Sequence, residues 1–356
     1  MSPFKGEMQA DIFCLWEKNT LTYSFTRMKP PRSFILFLIL VFCLFSIALG
    51  QDNFWYLIET GSAPKESGFK MKDWFVWCGS AIKVDGTYHL FASRWPKSTH
   101  FPEGYMTHSE IVRATADTPL GPYTFQEVVL GKRDSKYWDG IMTHNPSIYK
   151  TGDTYVLYYN ARGSGPYRQI GYATAKSITG PWTRNDRPIN FGRDANNPAA
   201  FFESDGSVKL MWRDRTLGIY LATAPSYEGP YTVVNNNVWP HCKLEDFYLF
   251  KLDGTYHMIC EDNVGCISGH TRWGVHFVSD DGIHNWQPTD PLVVYNHSIF
   301  RPDGTGILCE RRERPQLLID ETGRITHLFT SILFQGETWN QAVPFSITRR
   351  FPKKKR

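Results

Sequence analysis

Five pairs of adjacent residues stand seven to nine residues ahead of the glycine of a turn: Trp77-Cys78, His144-Asn145, Asn196-Asn197, Glu245-Asp246 and Glu313-Arg314. Behind the same turns stand Arg94-Trp95, Asn160 with Arg162, Arg213-Asp214 and Glu261-Asp262. If the turns are equivalent, these positions gather in one place, and the carboxylates among them meet Trp and Arg. One protonated acid, one ionised carboxylate and aromatic faces for a sugar are what glycosidic bond cleavage requires. The acidic candidates are Glu245, Asp246, Asp262, Glu313 and Asp139 of Tyr137-Trp138-Asp139-Gly140. Asp139 is assigned as base or nucleophile and Glu245 as acid, with Asp246 and Glu313 orienting substrate hydroxyls or tuning proton affinity. Arg94, Arg213 and Arg314 suit a carboxylate or sulfate on an acidic sugar, or else neutralise the pocket. Trp77, Trp95 and Trp138 are stacking candidates, with blade packing as the competing role. His144, Asn145, Asn197 and Asp262 complete the substrate-facing set, His144 as proton shuttle or polar lining. The competing reading pairs Asp246 and Asp262 with Arg213 or Arg215, and Glu313 with Arg311, Arg312 or Arg314.

The turns are equivalent because the chain repeats. Ala114-Thr115-Ala116, Ala173-Thr174-Ala175 and Ala222-Thr223-Ala224 each run on to Gly-Pro-aromatic, ending at Tyr123, Trp182 and Tyr231, and a degraded copy ends at Trp286. Before each lies a short strand, a turn such as Asp85-Gly86 or Asp253-Gly254, and an alternating strand. Asp-Gly between alternating apolar runs is a hairpin signal, because the turn needs positive φ. Five such hairpins, at a period of roughly 50–65 residues, describe an all-β, five-bladed β-propeller with four-stranded antiparallel blades around a central channel. The run Phe54-Trp55-Tyr56-Leu57-Ile58 is placed to close the ring as the last strand of blade five. A solenoid or two stacked sandwiches is the competing architecture.

Composition agrees with a folded β protein. Over 356 residues, 42% hydrophobic and 21% charged exclude disorder, while 15% aromatic with 28 Gly and 22 Pro suits short strands and tight turns. A net charge of +4 is too small for a nucleic-acid surface, so no nucleic-acid partner is expected. Residues 1–50 read as an N-terminal extension and signal peptide: Phe34–Leu49 is apolar, follows Lys29 and Arg32, and leads to cleavage before Gln51. The expectation is secretion, with no membrane contact after cleavage; an uncleaved signal anchor tethering the protein is the alternative. Residues 51–350 then form the propeller and 351–356 a basic tail. Cys78, Cys242, Cys260, Cys266 and Cys309 remain, an odd number in an oxidising compartment, so at least one stays free or pairs between chains. Their spacing fits no zinc site, and no metal or cofactor is expected from them. Asn296-His297-Ser298 is a glycosylation sequon. His257, His270, His276, His284 and His297 have no ligand spacing and read as surface or turn residues.

The blades, Asn145-Pro146-Ser147-Ile148, the ATA-to-Gly-Pro-Trp frame and the Glu245-Asp246 opening resemble the five-bladed propeller glycoside hydrolases of families 43, 32 and 117. Trp77-Cys78-Gly79-Ser80, Ser109-Glu110-Ile111-Val112-Arg113-Ala114, Thr143-His144-Asn145-Pro146 and Glu313-Arg314-Pro315-Gln316 look most like a secreted group related to family 43. The resemblance covers residues 54–347 and implies a secreted hydrolase acting on carbohydrate, with a structural calcium ion in the channel as an added possibility. Family 43 enzymes carry acids at the starts of blades one, two and three; here those places hold Cys78, Asn145 and Asn197. The charge sits instead at Glu245, Asp246 and Glu313, which leaves a different carboxylate pair or a glycan-binding propeller without catalysis.

Overall fold

The computed structural model describes residues 55–349; the expected signal segment and basic tail lie outside the described residues. Five four-stranded antiparallel sheets stand around an axis as propeller blades. Blade one is built from Trp74–Val84, Thr87–Pro96, Glu110–Ala116 and Thr124–Leu130, and blade two from Met142–Thr151, Thr154–Arg162, Gln169–Ala175 and Thr183–Arg184. Blade three comprises Asn196–Phe202, Val208–Arg213, Ile219–Ala224 and Thr232–Asn235, and blade four Leu244–Leu252, Thr255–Asp262, Trp273–Ser279 and Gln287–Tyr295. Blade five takes Arg311–Ile319, Ile325–Phe334 and Glu337–Arg349, and its outer strand is the N-terminal Trp55–Glu59. That strand pairs antiparallel from Trp55 opposite Arg349 to Glu59 opposite Phe345, so the first and last of the described strands share one sheet. The closure rules out the solenoid and the stacked sandwiches.

Local sequence explains the strands. Asp85-Gly86 and Asp253-Gly254 have positive φ at both residues, the turn whose twist matches paired strands. Gly121, Gly180 and Gly229 hold φ of 83°, 89° and 96°, and a Cβ at Gly121 would lie 2.9 Å from the Tyr123 ring. The repeated Gly-Pro-aromatic frame is thus a turn in which the aromatic folds back over its own glycine. Along the second strand of blade two, Leu157, Tyr159 and Ala161 pack towards blade one, while Val156 and Tyr158 pack towards blade three. Alternation with apolar residues on both faces is what a strand between two neighbours needs. One buried apolar cluster accordingly fills each crevice between adjacent blades.

One feature of blade four differs from the sequence reading. His257 and His276 are buried, not surface residues: Nδ1 of His257 lies 2.9 Å from Nε2 of His276, and the rings stack. Phe250 stacks on His257, and Trp55 of the closing strand meets it edge-on at 4.5 Å. Of the five cysteines, Cys242 and Cys266 form a disulfide with Cα atoms 5.9 Å apart, and Cys78, Cys260 and Cys309 are free and buried. The disulfide fastens the loop after the second strand of blade four. Within that loop the Asp262 carboxylate accepts hydrogen bonds from the N–H groups of Gly265, Cys266, Ile267 and Ser268.

Burial, followed by the neighbouring His257, holds His276 well below the ordinary imidazole range. A histidine kept neutral in the fold contributes stability above its unfolded pKa of about 6.5 that is lost as pH falls below it. Stability should therefore decline by up to about 1.4 kcal/mol per pH unit below about 6. Thermal unfolding of wild type and His276→Gln across this range checks this, and the variant should show a flatter acid limb. Replacing Cys242 and Cys266 by Ser should cost about 3 kcal/mol, read as a lower midpoint in chemical denaturation.

Candidate active site

The first strand of every blade carries a bulge at the same place, and at each bulge one residue sits in the left-handed region. These are Cys78, Asn145, Asn197, Asp246 and Arg314, with φ between 53° and 59°. Their register shifts fall between Trp77 and Ser80, His144 and Ser147, Asn196 and Ala199, Glu245 and Tyr248, and Glu313 and Gln316. A regular strand sends successive side chains to opposite faces; the bulge turns two consecutive ones towards the axis. Asn and Asp tolerate this backbone readily, whereas Cys78 and Arg314 hold it at a cost of about 1–2 kcal/mol each.

The five bulge residues join around the axis. Cys78 Sγ lies 2.6 Å from Asn145 Oδ1, Asn145 Nδ2 donates to Asn197 Oδ1 at 2.5 Å, and Asn197 Nδ2 donates to Asp246 Oδ1 at 2.5 Å. Arg314 Nη1 closes on the same Asp246 oxygen at 3.0 Å and acts electrostatically on Cys78. Burial pushes the Cys78 thiol up despite Arg314, so it stays protonated and donates. Calcium prefers six to eight oxygen ligands. Here the ring's oxygens are engaged with one another beside a thiol and a guanidinium, and that donor set does not fit the ion.

Above the ring lies a pit of about 180 Å³. Trp77, Trp95, Phe101 and Tyr105 form its aromatic wall, Phe101 stacking on Trp95. Phe101 belongs to the loop between the second and third strands of blade one, whose short helix is Tyr105–His108. Tyr105 stacks on His144 at 4.5 Å, and His144 Nδ1 meets Ser109 Oγ at 2.8 Å. Burial, then Arg314 and Arg168, keep His144 far below its ordinary range, so it is neutral.

The opposite wall is charged. Glu245 pairs with Arg213 at 2.6 Å and accepts from Asn263 Nδ2, while Glu313 accepts from Arg272 at 2.8 Å and lies 3.6 Å from Arg311. Arg272 Nη1 also stands 3.7 Å from Glu245, so one nitrogen faces carboxylates from two blades. Burial pushes Glu313 up to about 7, with Asp246 and Glu245 adding to it and Arg272 opposing it. A carboxyl of this affinity can hold a proton near neutral pH beside a partner carboxylate, the arrangement of an acid–base pair.

Of the sequence candidates, Trp77, Trp95, His144, Asn145, Asn197, Arg213, Glu245, Asp246, Glu313 and Arg314 line this pit. Four do not. Asp139 is fully buried away from it, accepting from Arg133 at 2.5 Å, from the Tyr159 hydroxyl at 2.9 Å and from Arg184 at 3.3 Å. Trp138 stacks on Tyr159 and donates to the Asn185 carbonyl, Arg94 is held by Glu110 over Trp74, and Asp262 caps its loop. The roles given to Asp139 and Asp262 are corrected accordingly: two arginines engage the first in a blade crevice, and alternation turns the second outward. Glu261, one residue earlier on the same strand, faces inward, fully buried and hydrogen-bonded to Arg272 at 2.8 Å. Arg272, Phe101 and Tyr105 carry no sequence signal for the site, and Arg311 enters the sequence reading only as an ion-pair partner of Glu313. Asn196 and Glu261 stand in the aligned strand-end pairs without a role assigned there, Glu261 at the end of a second strand opposite Glu245.

No protein-family model matches the sequence, and no curated protein is similar to it in sequence. Solved structures are similar in fold. Zg3597, a family 117 glycoside hydrolase of the marine bacterium Zobellia galactanivorans, superposes with a TM-score of 0.60 at 16% identity, over 84% of this chain and 92% of its own. The α-L-arabinofuranosidase PaAbf62A of Podospora anserina, solved with cellotriose, gives 0.56 at 15% identity over 82% and 97%. A GH43_1 enzyme from Xanthomonas citri gives 0.55 at 14% over 76% and 88%. At these identities the likeness is one of architecture: the chain has the five-bladed propeller fold found in these glycoside hydrolases.

Proposed function

We propose that the protein is a secreted glycosidase that removes a sugar unit held in the axial pit, with Glu313 as acid and Glu245 as nucleophile or base. One observation carries this: two glutamates from adjacent blades flank a single guanidinium nitrogen inside a pit with an aromatic wall. The ring of bulge residues floors the pit, so a chain end fits and a through-running polymer does not. Trp77 and Phe101, the latter backed by the buried Trp95, offer faces for the sugar ring, and Arg213, Arg311 and Arg314 suit a carboxylate or sulfate on it. Glu313 would protonate the leaving oxygen, while Glu245 would attack the anomeric carbon or activate water. Arg272, between them, holds both carboxylates in place.

A binding role without cleavage is the second reading, favoured by the arginine partner that each pit carboxylate already has. A screen of oligosaccharides and aryl-glycosides, acidic and anhydro sugars included, separates the two. Sugar release should fall by roughly 10²–10⁴-fold in Glu313→Gln and in Glu245→Gln. Asp139→Asn should instead lower the melting temperature and leave turnover per folded molecule near wild type. Activity should decline as pH rises through about 7, where Glu313 loses its proton. Glycan binding with no release of sugar by wild type would favour the second reading, and undiminished turnover in both glutamate variants would sink the first.

A further inference from the structure

Beneath the pit, Asp246, Glu261 and Glu313 present carboxylate oxygens that all lie within 4.8 Å of one another. Arg314 answers Asp246 at 3.0 Å, and Arg272 Nη1 is divided between Glu261 and Glu313, at 2.8 Å each. Glu245 has Arg213, and Arg311 reaches Glu313 only at 3.6 Å from a side chain about a third exposed. Arg312, on the same strand, is turned away to Glu59. Three buried carboxylates therefore face one buried and one partly buried guanidinium, and like charges this close do not all ionise.

The geometry also says where a proton belongs. Glu261 is fully buried, and its Oε2 has no hydrogen-bond partner. Tyr295, from the outer strand of blade four, has a buried hydroxyl without a hydrogen bond and interacts electrostatically with Glu261, Asp246 and Glu313. An ionised carboxylate with an unanswered oxygen is the costliest group to keep here; a neutral carboxyl is not. We propose that Glu261 holds its proton permanently: it stays a neutral carboxyl at neutral pH, which leaves Glu313 as the carboxyl of the cluster that gives up and regains a proton during turnover. Burial, then Glu313, Asp246 and Glu245, drive the Glu261 proton affinity up, in the same direction. The catalytic part of this proposal rests on the glycosidase reading; the location of the proton does not.

The test is infrared spectroscopy of the purified protein at about pH 8, where Glu313 is mostly ionised. Wild type should show the carbonyl band of a protonated carboxyl, Glu313→Gln should keep it, and Glu261→Gln should lose it. No band in wild type, a band lost in Glu313→Gln, or a band that survives Glu261→Gln overturns the proposal, and the first two outcomes are readable even if Glu261→Gln fails to fold. Where sugar release is measurable, Glu261→Gln should leave the alkaline limb of kcat/KM in place, because a neutral group replaces a neutral group. A downward shift of that limb by about one pH unit would mean that Glu261 is ionised in the wild type, and would end the proposal. A band that behaves as described in a protein that releases no sugar would refute the glycosidase reading alone.

Discussion

Everything in the site depends on the left-handed bulge repeated in the first strand of each blade. A regular strand would send one residue of each pair, such as Glu245-Asp246, to the axis and the other into the blade interface. The bulge sends both inward, one as pit wall and one as pit floor, and the hydrogen-bonded ring of Cys78, Asn145, Asn197, Asp246 and Arg314 holds the five backbones in that unusual conformation. Floor and wall are therefore coupled. The groups that close the channel also fix where the candidate catalytic glutamates point.

Charge follows from that geometry. Crowding Glu245, Asp246, Glu261 and Glu313 on one side of a buried pit would be prohibitive without compensation. Arg213, Arg272 and Arg314 supply most of it, each from a different element. Arg272 has the most demanding placement: it sits in a left-handed conformation at the end of a loop held by Asp262 and the Cys242–Cys266 disulfide. A covalent staple at the edge of blade four thus secures the cation that the acids of two blades share.

Much of this was legible in the chain. Asp85-Gly86, Asp253-Gly254 and the Gly-Pro-aromatic frame identify turns whose backbone demands are local, so the blades and the closing strand at Trp55 could be counted and placed. Aligning the hairpins on those turns also found ten of the fourteen site candidates now lining the pit. It failed for Asp139 and Trp138, which lie in a connecting loop where no strand period fixes direction. It failed for Asp262 as well, where a one-residue difference in facing separates a loop cap from the inward Glu261.

The sequence by itself determined the repeat, the ring of five blades and the strand ends that meet at the axis, because turn chemistry and alternation act over a few residues. Only the tertiary structure decided which acid is an ion-paired brace and which faces the pit, since that depends on arginines far away in the chain. Asp139 meets Arg184, and Glu313 meets Arg272, across distances in sequence that no local pattern records. The energy of a buried carboxylate is set by the partners around it, and those exist only once the blades have closed.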